Sequence, residues 1–149
     1  MHTIRPYDDT RDRAGVIALW RTVFGYETAH NDPALALDKK LAAADGLLFV
    51  AETSAPVGGI VGTAMAGYDG HRGWLYSIAV HPDCRRAGLG SALVKTAESA
   101  LTRAGCLKIN LQLLAGNAGT AAFYEVLGYA VEPRISMGKV LADNLPRPQ

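Results

Sequence analysis

The chain has little cysteine, little net charge and no long apolar run, and each shortage closes off a class of function. Cys84 and Cys106 are its only two cysteines. They lack the spacing of a metal knuckle and are too few for a disulfide scaffold, so a reduced cytoplasm is the expected setting and no metal is expected. Basic residues outnumber acidic ones by one, giving a formal net charge of +1. That balance supplies no electrostatic reason to expect nucleic acid or an anionic membrane as a partner. No segment approaches the roughly 18 uninterrupted apolar residues that would span a bilayer. Residues 1–12 carry five charged side chains and no apolar run, which is unlike a signal peptide. Internal repeats and low-complexity tracts are absent as well.

What is present suits an α/β domain. A chain of 149 residues is expected to fold as a single domain, 1–149, burying about 70% of its unfolded surface. The core is expected over 3–141, with Pro146 and Pro148 marking 142–149 as a frayed tail. Thr3–Pro6 reads as a first strand. Asp9 is placed to cap a helix whose Val16, Ile17, Trp20, Val23 and Phe24 recur on one face. Asp32-Pro33 opens a second helix, with Leu37 and Leu41 inward. Strands follow at 47–52, 57–68 and 74–80. The middle one contains Gly58, Gly59, Gly62 and Gly67, costly in a sheet unless something approaches the backbone closely. A third helix carries Leu89, Leu93, Ala97 and Leu101 inward and stops at Gly105. Lys108–Leu113 alternates as a strand, Asn117 caps a fourth helix, and 129–132 and 136–140 read as two short final strands. This order of elements predicts an α/β fold with a mixed sheet.

The most informative stretch is Val80-His81-Pro82-Asp83-Cys84-Arg85-Arg86-Ala87-Gly88-Leu89-Gly90-Ser91. An apolar strand ends in a short basic turn, and two glycines open an amphipathic helix. The first N–H groups of a helix have no internal partner, and the helix dipole adds roughly half a positive charge there. Gly88 and Gly90 have no side chain to keep an anion from the main chain, while Arg85 and Arg86 add charge. The pattern predicts a diphosphate site. A P-loop is excluded because Gly90 is followed by Ser91-Ala92 rather than Lys and a hydroxyl residue. A dinucleotide fingerprint is excluded because Leu93 occupies its third small position and Asn110 stands where an acid is needed. His81 reads as a strand-end residue, and Cys84 as either a turn filler or a reactive thiol.

The pattern Arg85-x-x-Gly88-x-Gly90 after Val80-His81-Pro82 resembles the coenzyme A pyrophosphate loop of the GNAT family of acyl-CoA N-acyltransferases. The order of elements over 3–141 is similar to that family's. A second motif agrees: Asn117, followed by Ala122-Phe123-Tyr124-Glu125-Val126-Leu127-Gly128-Tyr129, looks like the family segment after its fifth strand. Gly67-Tyr68-Asp69-Gly70-His71-Arg72-Gly73, with Asn31-Asp32-Pro33 and Met137-Gly138-Lys139, is similar to a small bacterial subgroup of uncharacterised acetyltransferases. That likeness names a reaction class but no substrate.

The resemblance implies a single N-acetyltransferase domain. Its sheet would be mixed, mostly antiparallel and of about seven strands, with four helices, and splayed between strands four and five. It implies acetyl-CoA as acyl donor and no metal. The backbone at Ile78, Ala79 and Val80 would pair with the pantetheine arm as an added strand. Arg85, Arg86, Ala87, Gly88, Leu89, Gly90 and Ser91 would hold the diphosphate, with Asn117, Phe123 and Tyr124 on the other side of the arm. Tyr124 would protonate the departing thiolate; the plainer alternative is a packing role on an amphipathic helix. Many relatives carry a carboxylate on strand four, but 74–80 holds none. The base is therefore left among Asp69 and His71 in the turn before that strand, Glu27, and water; Asp69 and His71 also suit simple hairpin chemistry.

The expected activity is acetyl transfer to a primary amine of a small molecule, amino acid or protein, by direct attack in a ternary complex. Use of other acyl groups is left open. The alternative is a non-catalytic acyl-CoA-binding sensor. Tyr7, Tyr26 and Tyr68 could line an acceptor pocket, and Ser136–Val140 could pair between chains in a homodimer.

Overall fold

Short polar side chains set the start of three helices. In the computed structural model, which describes residues 2–25, 29–54 and 59–141, Asp8 accepts from the Thr10 N–H at 3.0 Å ahead of α1 (Asp9–Phe24). Asp32 accepts from Leu35 N–H at 3.1 Å ahead of α2 (Pro33–Ala43). Asn117 accepts from Thr120 N–H at 3.3 Å ahead of α4 (Ala118–Val126). Each bond satisfies a donor that the helix itself leaves unpaired. The first cap is Asp8, one residue before the expected Asp9. Asp9 instead accepts from the Tyr7 hydroxyl and from Arg13 Nε, at 2.7 and 2.9 Å. The remaining helix, α3 (Leu89–Arg103), starts at Gly88 and has no side-chain cap.

The strands β1 (His2–Pro6), β2 (Leu48–Thr53), β3 (Gly59–Tyr68), β4 (Gly73–Val80) and β5 (Ile109–Asn110) form one sheet in the order β1-β2-β3-β4-β5. The first four are antiparallel neighbours, and β4–β5 is parallel. The expected class, α/β with four helices and a mixed, mostly antiparallel sheet, holds. The expected seven strands are corrected to five among the described residues. The strand expected over 108–113 pairs only at Ile109 and Asn110, and neither 129–132 nor 136–140 joins the sheet. Side chains link these segments where main-chain ladders were expected. Lys108 and Asn110 bond the Glu132 carboxylate, and Gln112 bonds Ser136. The polar face of that alternating stretch is thus used to tie down the C-terminal segment.

Two apolar clusters sandwich the sheet. On one face Val16, Leu19 and Trp20 of α1 and Leu37 of α2 pack on Leu48, Val50 and Ala79. On the other, Leu89, Leu93, Val94, Ala97 and Leu101 of α3 pack on Ala51, Val61, Ala64 and Leu75. Full burial of each such aliphatic side chain contributes roughly 1.5–3 kcal/mol. One β3 glycine has the reason the sequence called for. A Cβ on Gly62 would lie 2.8 Å from Leu93 Cδ1, so the close neighbour is α3 itself.

Candidate active site

β4 parts from β5 after two pairs, Gly73 with Ile109 and Trp74 with Asn110. Beyond them, the edge of β4 and the chain from Leu111 to Tyr124 form the two walls of a cavity of about 1610 Å³. One end is lined by Val23, Phe24, Gly25 and Asn31, and the other by the turn from Cys84 to Ser91. The expected splay of strands four and five is this opening.

A bulge decides which backbone groups face it. Thr63 pairs with Ala79 and Met65 with Tyr76, so Ser77 and Ile78 together oppose Ala64. Ser77 takes φ +48°, in the left-handed region. Past the bulge, His81 N–H turns to Val61 O on β3, at 2.8 Å. Alternation then turns the N–H and C=O of Val80 and Ile78 toward the open edge. In agreement, Val80 O accepts from Arg85 Nε at 3.2 Å. Before the bulge, Gly73 N–H turns outward to Lys108 O at 2.9 Å. The outward set thus changes from odd-numbered to even-numbered residues across Ser77.

At the end of β4 the chain makes a 3-10 turn, Pro82–Cys84, capped by His81 Nδ1, which accepts from Asp83 N–H at 3.1 Å. Arg86 and Gly88 then adopt φ +67° and +77° and lead into α3. The first N–H bonded within the helix is that of Ala92, to Gly88 O at 3.1 Å. The N–H groups of Leu89, Gly90 and Ser91 are left without an intrahelical acceptor at the cavity mouth. These residues fit a diphosphate: the helix end is uncapped, Arg85 and Arg86 are exposed beside it, and a Cβ on Gly90 would lie 3.2 Å from Phe123 Cζ. Ala87 is exposed in the turn and Ala79 packs under α1; both flank the lining without joining it.

Tyr124 sits on the opposite wall, 7% exposed, with its ring edge-on to Phe123 and Tyr129 at 4.9 and 5.7 Å. Burial pushes its hydroxyl up to about 12. The neighbouring Tyr129 donates to Glu98 at 2.7 Å; among the described residues no hydrogen bond occupies the Tyr124 hydroxyl. Asn117 and Phe123 also line the cavity, although the Asn117 oxygen is already spent on its helix cap.

Asp69 and His71 lie in the exposed β3–β4 turn and do not line the cavity. Asp69 Oδ1 accepts from the N–H groups of Arg72 and His71, both at 2.8 Å. Those bonds hold its carboxyl below the usual range. Glu27 and Tyr26 lie outside the described residues. Tyr7 is bound to Asp9, and Tyr68 reaches Gly70 O and Gly105 O, each at 3.3 Å; neither lines the cavity. Among the described residues, the aromatic side chains that do, beside Phe123 and Tyr124, are Phe24, Trp74 and Tyr76. The pleat carried the missed signal, because Trp74 and Tyr76 are two apart and share a face of β4.

The acetyltransferase (GNAT) family model matches residues 13–129. The chain belongs to the GNAT family. It is similar to an acetyltransferase of Yersinia enterocolitica, 41% identical over 111 residues, 74% of this chain and 77% of the relative. An acetyltransferase of Pectobacterium atrosepticum is 38% identical over 133 residues, 89% of this chain and 92% of the relative. Among solved structures, the aminoglycoside N-acetyltransferase AAC(6')-Iy, in complex with the bisubstrate analog CoA-S-monomethyl-acetylneamine, superposes with TM-score 0.73 at 20% identity, covering 95% of this chain and 99% of that one. The glucosamine-6-phosphate N-acetyltransferase from Arabidopsis thaliana gives 0.69 at 22% identity, with 95% and 99% covered. These likenesses carry the fold. Family membership makes the chain an N-acetyltransferase, and the GNAT co-substrate is acetyl-CoA. Among the described residues no cluster of metal-ligating side chains occurs, and no helix is long and apolar enough to cross a membrane.

Proposed function

We propose that the cavity binds acetyl-CoA along β4 and transfers its acetyl group to a primary amine entering past Phe24, Trp74 and Tyr76. The observation that carries this reading is the uncapped N-terminus of α3 at one end of a continuous cavity with Tyr124 on its wall. Arg85, Arg86 and the N–H groups of Leu89, Gly90 and Ser91 hold the diphosphate. Each charge-assisted bond contributes about 1.5–3 kcal/mol. Ile78 and Val80 supply main-chain partners for the amides of the arm, in the manner of an added strand.

Acetyl-CoA, when bound, supplies an acetyl thioester. The neutral amine nitrogen attacks the thioester carbonyl carbon; a C–N bond forms and the C–S bond breaks. Val80 N–H is the main-chain donor for the carbonyl oxygen as it gains charge. Tyr124 gives its proton to the leaving sulfur. Burial suits this role, because a hydroxyl with its pKa near 12 is protonated at neutral pH. The same dry surroundings raise the basicity of the thiolate it must protonate.

Among the described residues lining the cavity there is no carboxylate and no imidazole. We therefore assign removal of the amine proton to water at the open mouth or to Glu27, the candidate outside the described residues, rather than to Asp69 or His71. The amide product leaves with coenzyme A as free thiol. Titration with acetyl-CoA in a calorimeter, followed by thiol release across a panel of small amines, amino acids and peptides, tests the reading. Binding with no thiol release across the whole panel would favour the sensor instead.

A further inference from the structure

Ser77 is not glycine, yet it holds a left-handed backbone at φ +48° in the middle of β4. Such a conformation persists only where its surroundings enforce it. The bulge also removes a ladder partner, since two residues of β4 face one of β3 and the Ser77 carbonyl lies outside the regular pairing. A side chain takes over. Thr63 Oγ1 donates to Ser77 O at 2.8 Å, and accepts from Trp20 Nε1 at the same distance of 2.8 Å. Both Thr63 and Trp20 are 0% exposed.

The chemistry of the three groups fixes the direction of this chain of bonds. An indole N–H can only donate, and a carbonyl can only accept. The hydroxyl between them must take the indole proton on a lone pair and aim its own proton at Ser77 O. Trp20 is anchored in α1, packed with Val16, Leu19 and Leu37. A hydrogen-bonded strut therefore runs from α1 through β3 to the single residue at which the backbone of β4 changes phase. Without that phase change Ala79, rather than Ile78 and Val80, would turn its N–H and C=O to the cavity.

We propose that Thr63 and Trp20 are positioning residues for acetyl transfer: the Trp20–Thr63–Ser77 strut locks the bulge and thereby aims the Ile78 and Val80 main-chain groups at the bound thioester arm. Neither side chain lines the cavity, so they act through the backbone of β4. The inference rests on the proposed seat of acetyl-CoA along that strand.

Three variants test it: Thr63→Val, which keeps the shape and loses the hydroxyl; Thr63→Ser, which keeps the hydroxyl; and Trp20→Phe, which loses the indole donor. Two probes separate the ends of the cavity. Adenosine 3′-phosphate 5′-diphosphate, the nucleotide half of coenzyme A, reports on the α3 turn alone, and acetyl-CoA reports on the turn and β4 together. Loss of one buried hydrogen bond corresponds to about a tenfold effect. Thr63→Val is expected to bind the nucleotide half within about twofold of wild type and to lose roughly tenfold or more in acetyl-CoA affinity. Thr63→Ser is expected to restore it, and Trp20→Phe to fall between.

Amide hydrogen exchange without ligand gives an independent arm, with faster exchange at 77–80 expected in Thr63→Val. Equal loss of both probes, or no loss of either whatever the exchange, overturns the positioning role. If the wild-type protein binds the nucleotide half but gains nothing from the arm, the seat along β4 is wrong and the inference falls with it. Faster exchange would then still locate the bulge lock as purely structural.

Discussion

Gly90 and Phe123 meet across the mouth of the cavity, where a Cβ built on Gly90 would stand 3.2 Å from Phe123 Cζ and 3.4 Å from Cε1. The contact joins the first turn of α3 to α4, the two elements that flank the proposed diphosphate seat. Gly90→Ala must push the ring aside, into the space assigned to the arm, and places a methyl group beside the free N–H groups. Acetyl-CoA affinity is expected to fall about tenfold, equivalent to one charge-assisted contact. The thermal midpoint should change little, because Phe123 is only half-buried. Calorimetry and a melting curve on the same variant check both halves.

Tyr124→Phe isolates the proposed acid. The ring and its edge contacts to Phe123 and Tyr129 are kept, and only the hydroxyl goes. Turnover is expected to drop about 10²- to 10³-fold, within the range for general acid catalysis. Binding of acetyl-CoA should stay within about threefold. Since burial raises the hydroxyl toward 12, Tyr124 imposes no alkaline limb on the wild-type rate at pH 7–10. A wild-type alkaline limb centred well below 10 that disappears in Tyr124→Phe would contradict that assignment.

The part of the site most legible from sequence was the part whose chemistry is local. Arg85, Gly88 and Gly90 lie within six consecutive residues, and the roles proposed for them follow from a basic turn at a helix end. Trp74 and Tyr76 were not singled out, although the alternation of their strand places both on one face. The bulge was not legible. Ser77 carries no mark of a left-handed backbone, and the groups that hold it, Trp20 and Thr63, are 43 residues apart from each other in sequence. The strand count failed for a related reason. Alternation at 108–113 shows which side chains share a face, but it cannot show whether the main chain finds a partner. Here Lys108, Asn110 and Gln112 reached Glu132 and Ser136 by side chains instead.

The β3–β4 turn separates structure from catalysis. Asp69 accepts two main-chain N–H bonds, and Asp69 N–H itself bonds Arg72 O at 3.3 Å. The carboxylate is thereby occupied, and its lowered pKa makes it a weaker base. Asp69→Ala and His71→Ala are expected to keep turnover within about threefold, with an unchanged pH–rate profile, and Asp69→Ala alone to lower the thermal midpoint. A loss of a hundredfold or more in either variant, with the acidic limb of the profile displaced, would return that residue to the role of base.

Acid stability turns on β1 and α1 rather than on the cavity. Arg5 grips Asp12 with two bonds, Nη1 to Oδ2 at 2.8 Å and Nη2 to Oδ1 at 2.9 Å, and the Asp12 side chain is 2% exposed. Asp8 N–H adds a third bond to Oδ2 at 2.8 Å. The Arg5 guanidinium first, then the Asp8 N–H, hold the carboxyl below the usual aspartate range against the opposing effect of burial. A carboxyl with a lower pKa when folded stabilises the fold fully above its unfolded value of about 3.9, and this stabilisation is lost as pH falls through the folded value. The melting temperature should therefore change little from this pair between pH 7 and 5 and fall below about pH 4. Asp12→Asn leaves the half-buried guanidinium with the partly exposed Glu52, at 3.4 Å, as its remaining carboxylate, beside the Pro6 carbonyl at 3.3 Å. It is expected to cost about 2–4 kcal/mol at neutral pH and to flatten the acid dependence, as denaturant unfolding of both proteins between pH 7 and 3 would measure. Parallel curves for the two, offset by a constant, would mean that Asp12 does not carry the acid transition.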